Sequence, residues 1–401
     1  MKVEFSNRKA LLSLAIGGFG IGLTEFVIMG ILPNVANSLA ITIPQAGHFI
    51  SAYALGVVVG APLLTSFSHK LSPNRMLLLL MVWFTVFNTL SAFASDYNML
   101  LVVRFLSGLP HGAFFGVGAV IAGKLAKKGK SGQAIAVMFS GLTVANVIGV
   151  PIGTYLGNQY HWSASFLMVG VVGLLTLASI FYWMPQFKKE EKQPLSEENK
   201  GLKNPELWGL IALTTIGTGG FFAWYSYIAP LLTEVAHFSD NVVSYAMIVA
   251  GLGMFVGNFL GAKMASIFTP LRSVMISLVA MAIVLVVNSF LASNGLLALV
   301  LTFTIGLIAF SISTPIQMAI INTAKGSEML GSSMNQSAFN MGNAMGAYLA
   351  GLPIAYGFSV TSSSLVGAAL AFSGAIIAIS ILLYRQRKIK NASQPQLDSN
   401  T

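Results

Sequence analysis

Two ionisable side chains stand inside long apolar runs. Glu25, in Thr24-Glu25-Phe26, is the only carboxylate placed well inside one, and Arg104 is the only such cation among 22 Lys and Arg. A charge at the centre of a hydrocarbon layer costs about 2.5–3.5 kcal/mol or more. Desolvation favours the neutral form of a carboxyl. A carboxyl in that setting can therefore hold a proton while it faces one side and release it while it faces the other. The alternative is a neutral, hydrogen-bonded structural acid near the outer interface. Arg104 cannot shed its charge, so it needs a carboxylate, carbonyls or water. Glu25 is the acid available for electrostatic coupling, and a structural clamp onto backbone carbonyls is the competing role. His111 follows Pro110, about two helical turns beyond Arg104, so both can face one cavity. It is either a proton relay or a hydrogen-bonded packing residue.

Other polar and aromatic residues in the apolar runs are candidates for lining a substrate cavity: Phe26, Asn146, Phe222, Trp224, Tyr225, Gln317, Gln336 and Asn340. Some of the cluster Phe221, Phe222, Trp224, Tyr225 and Tyr227 should face lipid or the outer interface, where Trp and Tyr are enriched. Gly149, Gly153 and Gly157 share a helix face at four-residue spacing, which lets helices pack closely, and Pro151 adds a bend. With five His, no Cys and few intramembrane acids, no metal cluster is evident. There is no Gly-Lys-Ser/Thr phosphate loop. Direct drive by ATP is thereby disfavoured, no cofactor is expected, and an ion gradient, here of protons, is the remaining energy source.

The elements that must position these residues follow from hydropathy. Apolar residues make up 55% of the 401 and charged residues 8%, too little polar surface for a water-soluble chain of this size. A hydrocarbon core of about 30 Å needs about 20 helical residues, and without water the backbone there must be helical. Twelve runs qualify: 10–32, 46–66, 75–95, 99–122, 133–156, 163–184, 207–232, 243–266, 271–291, 296–318, 331–353 and 361–384. The first resembles a signal peptide in its basic start, but it is too long and carries Glu25, so it reads as an uncleaved span. With the runs marked, every Lys and Arg except Arg104 falls on one side. That bias predicts both termini in the cytoplasm and a multi-pass protein of a bacterial inner membrane. The net charge of +10 lies in short loops, which argues against a nucleic-acid partner. The expected partners are the lipid bilayer, a small-molecule substrate and protons.

The fold class expected is all-α, two pseudo-symmetric six-helix bundles. Residues 1–184 form the first bundle, 185–206 a polar cytoplasmic linker, 207–390 the second bundle and 391–401 a polar tail. The halves repeat at an offset of 197: Gly60 matches Gly257, Arg75 matches Arg272, Asn146 matches Asn343 and Gly149 matches Gly346. Each Arg follows a Pro by two residues, in Pro73-Asn74-Arg75 and Pro270-Leu271-Arg272. Gly60, Lys70, Arg75, Gly257 and Arg272 are thereby assigned to cytoplasmic gate loops. Duplicated six-helix halves signal a rocking transporter with its site near the midplane. Glu25 maps onto Phe222 and Arg104 onto Leu301. The two ionisable residues are thus the departures from symmetry, and departures are where chemistry is expected.

Several of these segments resemble a known family. Thr24-Glu25-Phe26 with Gly30 and Pro33, Arg104-Phe-Leu-Ser-Gly108, and Gly149-Val-Pro151-Ile-Gly153 are similar to signatures of the major facilitator superfamily, in its twelve-helix drug:proton antiporter branch. Pro110 through Val120 looks like a subgroup of arabinose-inducible efflux permeases. The resemblance implies alternating access, protons exchanged for an exported solute, Glu25 as the proton- or substrate-binding acid, Arg104 as the motif arginine, and a monomer. The glycine-rich segment is similar to a motif associated with exporters. One segment departs: Ser68-His69-Lys70-Leu71-Ser72-Pro73 lacks the Asp usual in the loop after span two. A simpler basic latch replaces the usual charge relay in this reading. The function expected is proton-coupled export of a small organic solute, a sugar, a sugar-like metabolite or a drug, and not catalysis. Proton-coupled uptake and a non-transporting solute sensor are the alternatives.

Overall fold

The computed structural model describes residues 2–66, 71–127, 131–187, 204–324 and 328–393. The first half contains α1 (Lys2–Gly30), α2 (Leu32–Ser38), α3 (Ile43–Ser66), α4 (Pro73–Ser91), α5 (Tyr97–Leu125), α6 (Ser131–Val144), α7 (Val150–Gln159) and α8 (Trp162–Trp183). The second contains α9 (Pro205–Tyr225), α10 (Asp240–Phe268), α11 (Pro270–Leu291), α12 (Gly295–Thr323), α13 (Glu328–Ala355) and α14 (Ser362–Ser393), with a one-turn helix at Ile228–Pro230.

Among the described residues, 11 helical stretches are long and apolar enough to cross a membrane, one of them formed by α6 and α7 together. The remaining long helix is α13, which carries Asn335, Gln336, Asn340 and Asn343 and is correspondingly more polar. It completes the two sets of six.

The bounds depart from the sequence reading at several places, and α1 already starts at Lys2, before the run expected at 10–32. The first span breaks at Ile31 and restarts as α2 with Pro33 in its first turn, because proline cannot donate to the preceding turn. The span expected over 207–232 stops at Tyr225 and continues as the short helix and a π-helical turn, Leu231–Val235. Helix α9 begins at Pro205, inside the segment read as linker. Helix α14 runs to Ser393, into the segment read as tail.

Glycines set the closest approaches. A Cβ on Gly56 or Gly60 of α3 would run into the carbonyls of Phe105 and Leu109 on α5. In the second half, Gly253 and Gly257 of α10 meet the carbonyls of Phe303 and Leu307 on α12 in the same way. Gly60 and Gly257 are therefore helix-packing residues, not parts of gate loops. Arg75 and Arg272 sit exposed in the first turns of α4 and α11, each two residues after an N-terminal proline. Lys70 lies outside the described residues.

The two halves meet through α3 against α13 and through α7 against α10. Outward faces carry exposed large apolar side chains, including Leu79, Leu174, Phe259, Ile283 and Phe290. Such a surface suits hydrocarbon, not water.

Candidate functional site

Helix α1 turns Thr24 toward Arg104 of α5, inside the first half, and Glu25 toward Asn343 of α13, at the seam between the halves; α5 also carries His111. Glu25, Arg104 and His111 are all buried. The guanidinium does not form an ion pair with Glu25. Its Nη1 donates to Thr24 Oγ1 at 2.9 Å and its Nη2 to the Thr24 carbonyl at 3.2 Å. The Thr24 hydroxyl donates onward to Asn88 Oδ1, and Asn88 Nδ2 donates to the Phe84 carbonyl at 2.8 Å. Aromatic faces complete the cation's surroundings: its Cζ stands 4.4 Å from the Tyr53 ring centroid and 5.4 Å from that of Phe166. Such contacts help to hold a desolvated cation. Arg104 Nε is buried with no partner.

Tyr53 links the cation to the imidazole, since its hydroxyl lies 3.1 Å from His111 Nδ1. Arg104 and His111, two turns apart on α5, thus share one neighbour. Glu25 interacts electrostatically with Arg104, and its Oε1 accepts from Asn343 Nδ2 at 3.5 Å. Asn343 belongs to α13, in the other half. Thr24, Asn88, Tyr53 and Asn343 belong to the site although neither charge nor hydropathy marks them in the sequence. Neutral polar groups leave little trace in hydropathy, and only the 197-residue repeat singled out Asn343.

The aromatic cluster at the end of α9 and just beyond it lies elsewhere than its composition suggests. Phe221, Phe222, Trp224, Tyr225 and Tyr227 are all buried, so none faces lipid. Gly219 and Gly220 bring α9 against Gly342 of α13 and Gly367 of α14, and the rings fill the space beyond. Phe26 of the first half stacks on Phe222 at 6.4 Å and meets Tyr225 edge-on at 5.9 Å. These three candidates form one aromatic contact across the halves. Trp224 is fully buried with its Nε1 unpartnered.

Asn146 sits in a π-helical turn, Ala145–Gly149. Pro151, just after it, has no N–H to continue the α-helical ladder, and a π turn is one way to absorb that loss. Asn146 Nδ2 bonds back to the Leu142 carbonyl at 3.0 Å, and its Oδ1 has no partner. Gly149, Gly153 and Gly157 receive Phe19, Val27 and Ile31 in turn, so this stripe packs against the first span and the turn that follows it. In the second half, Asn335 bridges Gln317 Oε1 at 2.6 Å and Thr214 Oγ1 at 3.2 Å. Asn340 donates to the Gln336 carbonyl at 3.1 Å, leaving its buried Oδ1 unpartnered. A small cavity lies between Phe221, Phe310, Phe339 and Thr218.

Hydrogen bonds join the halves on one side of the bundle. Call the two faces of the bundle the basic end, which carries the Lys and Arg, and the base-poor end. Asn158 Nδ2 donates to the Asp240 carbonyl at 2.9 Å, and Gln159 donates to Asn241, both at the base-poor surface. Deeper in, Ser51 Oγ donates to the Ala344 carbonyl at 2.9 Å, and the Glu25–Asn343 contact is next to it. The structure is therefore tied shut at the base-poor end.

Residues 14–347 match the profile of the Major Facilitator Superfamily. The chain belongs to this family. It is a multi-pass membrane transporter, not an enzyme. It is 39% identical to the putative transporter AraJ of Escherichia coli K12, over 96% of this chain and 97% of that one. It is 38% identical to the inner membrane transport protein YdhP of the same organism, over 92% and 94%. A chloramphenicol resistance protein of Streptomyces lividans is 28% identical over 92% and 94%. Among solved structures, a bacterial homologue of the human lysosomal transporter Spinster shares the fold, with a TM-score of 0.67, 13% identity, and coverage of 94% and 95%.

Proposed function

We propose that this transporter exchanges protons for a small organic solute and exports that solute across the bacterial inner membrane by alternating access. The observation that carries the reading is Glu25: a buried carboxyl at the seam between halves, within electrostatic reach of a buried cation and touched by the opposite half. Glu25 binds and releases the proton. Arg104, fixed by Thr24, keeps a permanent positive charge beside it. His111 and Tyr53 extend the polar path along α5 and α3. Phe26, Phe222 and Tyr225 offer an aromatic wall to the solute. The glycine and proline stripe after Asn146 supports export through its likeness to the exporter motif. The confinement of Lys and Arg to one end supports a cytoplasmic location for that end and both termini.

The test is proton movement in inside-out vesicles with an acidified lumen. Sugars, nucleosides and lipophilic cations are added one at a time, with the unchanged protein and with Glu25→Gln. A solute that draws protons out only with the unchanged protein is the expected result. The same proton movement with Glu25→Gln would remove Glu25 from the mechanism. Solute uptake that moves protons in the same direction as the solute would replace antiport by symport.

A further inference from the structure

Two asparagines related by the internal repeat behave differently. Asn146 and Asn343 are equivalent at the 197-residue offset, as are Phe222 and Glu25. Asn343 Nδ2 reaches across the seam to Glu25 Oε1. The symmetry-related contact would set Asn146 against Phe222, which offers no acceptor. Asn146 turns back to its own helix instead and bonds the Leu142 carbonyl. The cross-half contact is therefore made once, and it is made to the acid.

The charged and titratable groups that face Glu25 divide by half. Arg104 on α5 and Tyr53 on α3 interact with it electrostatically, and both belong to the first half. Asn343 on α13 belongs to the second. In a rocking motion each half moves largely as a body. Arg104 and Tyr53 then travel with Glu25, and Asn343 does not. Next to Asn343, the carbonyl of Ala344 is held by Ser51 in the closed arrangement, so opening the base-poor end draws both away together.

We infer that Asn343 is a positioning residue that makes the proton affinity of Glu25 depend on closure of the base-poor end. This rests on Glu25 being the proton carrier. A donated N–H favours the ionised carboxylate over the neutral acid. With the base-poor end closed, Asn343 supplies that donor and the proton leaves toward the basic end. With the base-poor end open, the donor is withdrawn and Glu25 takes a proton from that side. The resulting proton flow runs from the base-poor side to the basic side, the direction an exporter driven by an inward proton gradient requires.

The experiment follows the carboxyl stretch of Glu25 by infrared titration from about pH 5 to about pH 9, a window around shifted carboxyl values, in protein held in lipid nanodiscs. Glu25→Gln assigns the band. Asn343→Leu removes the donor at similar volume, Asn343→Gln restores a carboxamide, and Asn146→Ala is the repeat-related control. The chain has no cysteine, so Gln159→Cys with Asn241→Cys, whose native side chains meet, gives a single pair that a short thiol-reactive cross-linker joins to lock the base-poor end.

Asn343→Leu should move the midpoint about one pH unit toward higher pH, a roughly tenfold change in proton affinity. Asn343→Gln should recover part of this, and Asn146→Ala should leave the midpoint in place. In the cysteine pair, cross-linking should lower the midpoint relative to the unlinked protein, and Asn343→Leu should abolish that difference. Where Asn343→Leu does not fold, Asn343→Ala takes its place in the linked and the unlinked pair. A Glu25 band whose midpoint ignores both Asn343 and the lock overturns this inference and leaves Glu25 as proton carrier. The absence of any titrating Glu25 band overturns both.

Discussion

The two halves of the molecule are built alike and furnished differently. In the first, α1, α3, α4 and α5 enclose a buried cation, a carboxyl, an imidazole and the neutral partners that hold them. In the second, the equivalents of Glu25 and Arg104 are Phe222 and Leu301, and the buried polar groups are carboxamides and hydroxyls. Burying a charge demands compensation that a carboxamide does not, and only the first half supplies it: Thr24, Asn88 and the Tyr53 and Phe166 rings. Packing follows the repeat and chemistry breaks it. Substitutions made in pairs across the repeat can separate the two.

The largest difference is expected between Glu25→Gln and Phe222→Leu. The first should abolish proton-coupled flux while the protein still inserts and folds, because the carboxamide keeps hydrogen-bonding capacity and loses the proton site. The second should weaken solute affinity, with the aromatic contact to Phe26 gone, and keep protons coupled to flux. Paired measurements of solute and proton movement in the same vesicles check this. Equal loss of coupling in both variants would end the division of labour between halves.

Next is Arg104. Arg104→Ala should cost about 2–4 kcal/mol of stability, from the lost volume in a tightly packed site and the lost hydrogen bonds to Thr24. Leu301→Ala, its repeat partner, removes less volume and no hydrogen bond and should cost less. Arg104→Lys keeps the charge but not the fork that spans the hydroxyl and carbonyl of Thr24, so it should recover stability only in part. Unfolding in detergent with a chemical denaturant gives the ranking. A stability unchanged in Arg104→Ala would exclude the clamp and leave only an electrostatic role.

How far these features are legible in the sequence depends on the kind of residue. Charge in an apolar run is a loud signal, so Glu25 and Arg104 stand out, and the basic loops mark the order of the helices. Thr24, Asn88 and Tyr53 are invisible by the same criterion, because hydroxyls and carboxamides are common in spans and reveal their partners only once helices are packed. Amphipathic rings gather at membrane interfaces, which predicts lipid contact for part of the aromatic cluster at the end of α9. That rule takes no account of Gly219 and Gly220, which draw neighbouring helices in and enclose the rings. Gly60 and Gly257 misled in the opposite sense: their nearness to basic turns suggested loops, whereas their lack of a Cβ serves helix contact.

Those glycines give the third comparison, where the halves should respond alike. Gly60→Val and Gly257→Val each drive a side chain into a backbone carbonyl, of Leu109 and Leu307 respectively. A carbonyl in a helix cannot swing aside as a side chain can, so the helices must part. Each variant should lose about 1–3 kcal/mol, by nearly equal amounts, in the same unfolding assay. A loss confined to one half would show that the packing repeat is weaker than the geometry implies.

The smallest effect concerns the basic end, where a symmetric brace has acquired an asymmetric addition. Asn7 Nδ2 donates to the Leu125 carbonyl at 3.0 Å, and Asn204 Nδ2 to the Thr323 carbonyl at 3.3 Å. Each ties the first long helix of a half to the end of the fourth. Asn204 also caps α9 by accepting from the Glu206 N–H at 3.1 Å, and Glu206 accepts from Arg385 Nε at 2.7 Å. Asn7→Ala should cost about 1 kcal/mol for one part-buried hydrogen bond, and Asn204→Ala about 1–2 kcal/mol because a cap is lost as well. Asn204→Ser divides the two contributions: serine still caps, but its short hydroxyl does not reach the carbonyl. Its cost should match that of Asn7→Ala. If Asn204→Ser instead costs as much as Asn204→Ala, the brace carries the stability in the second half and the cap is incidental there.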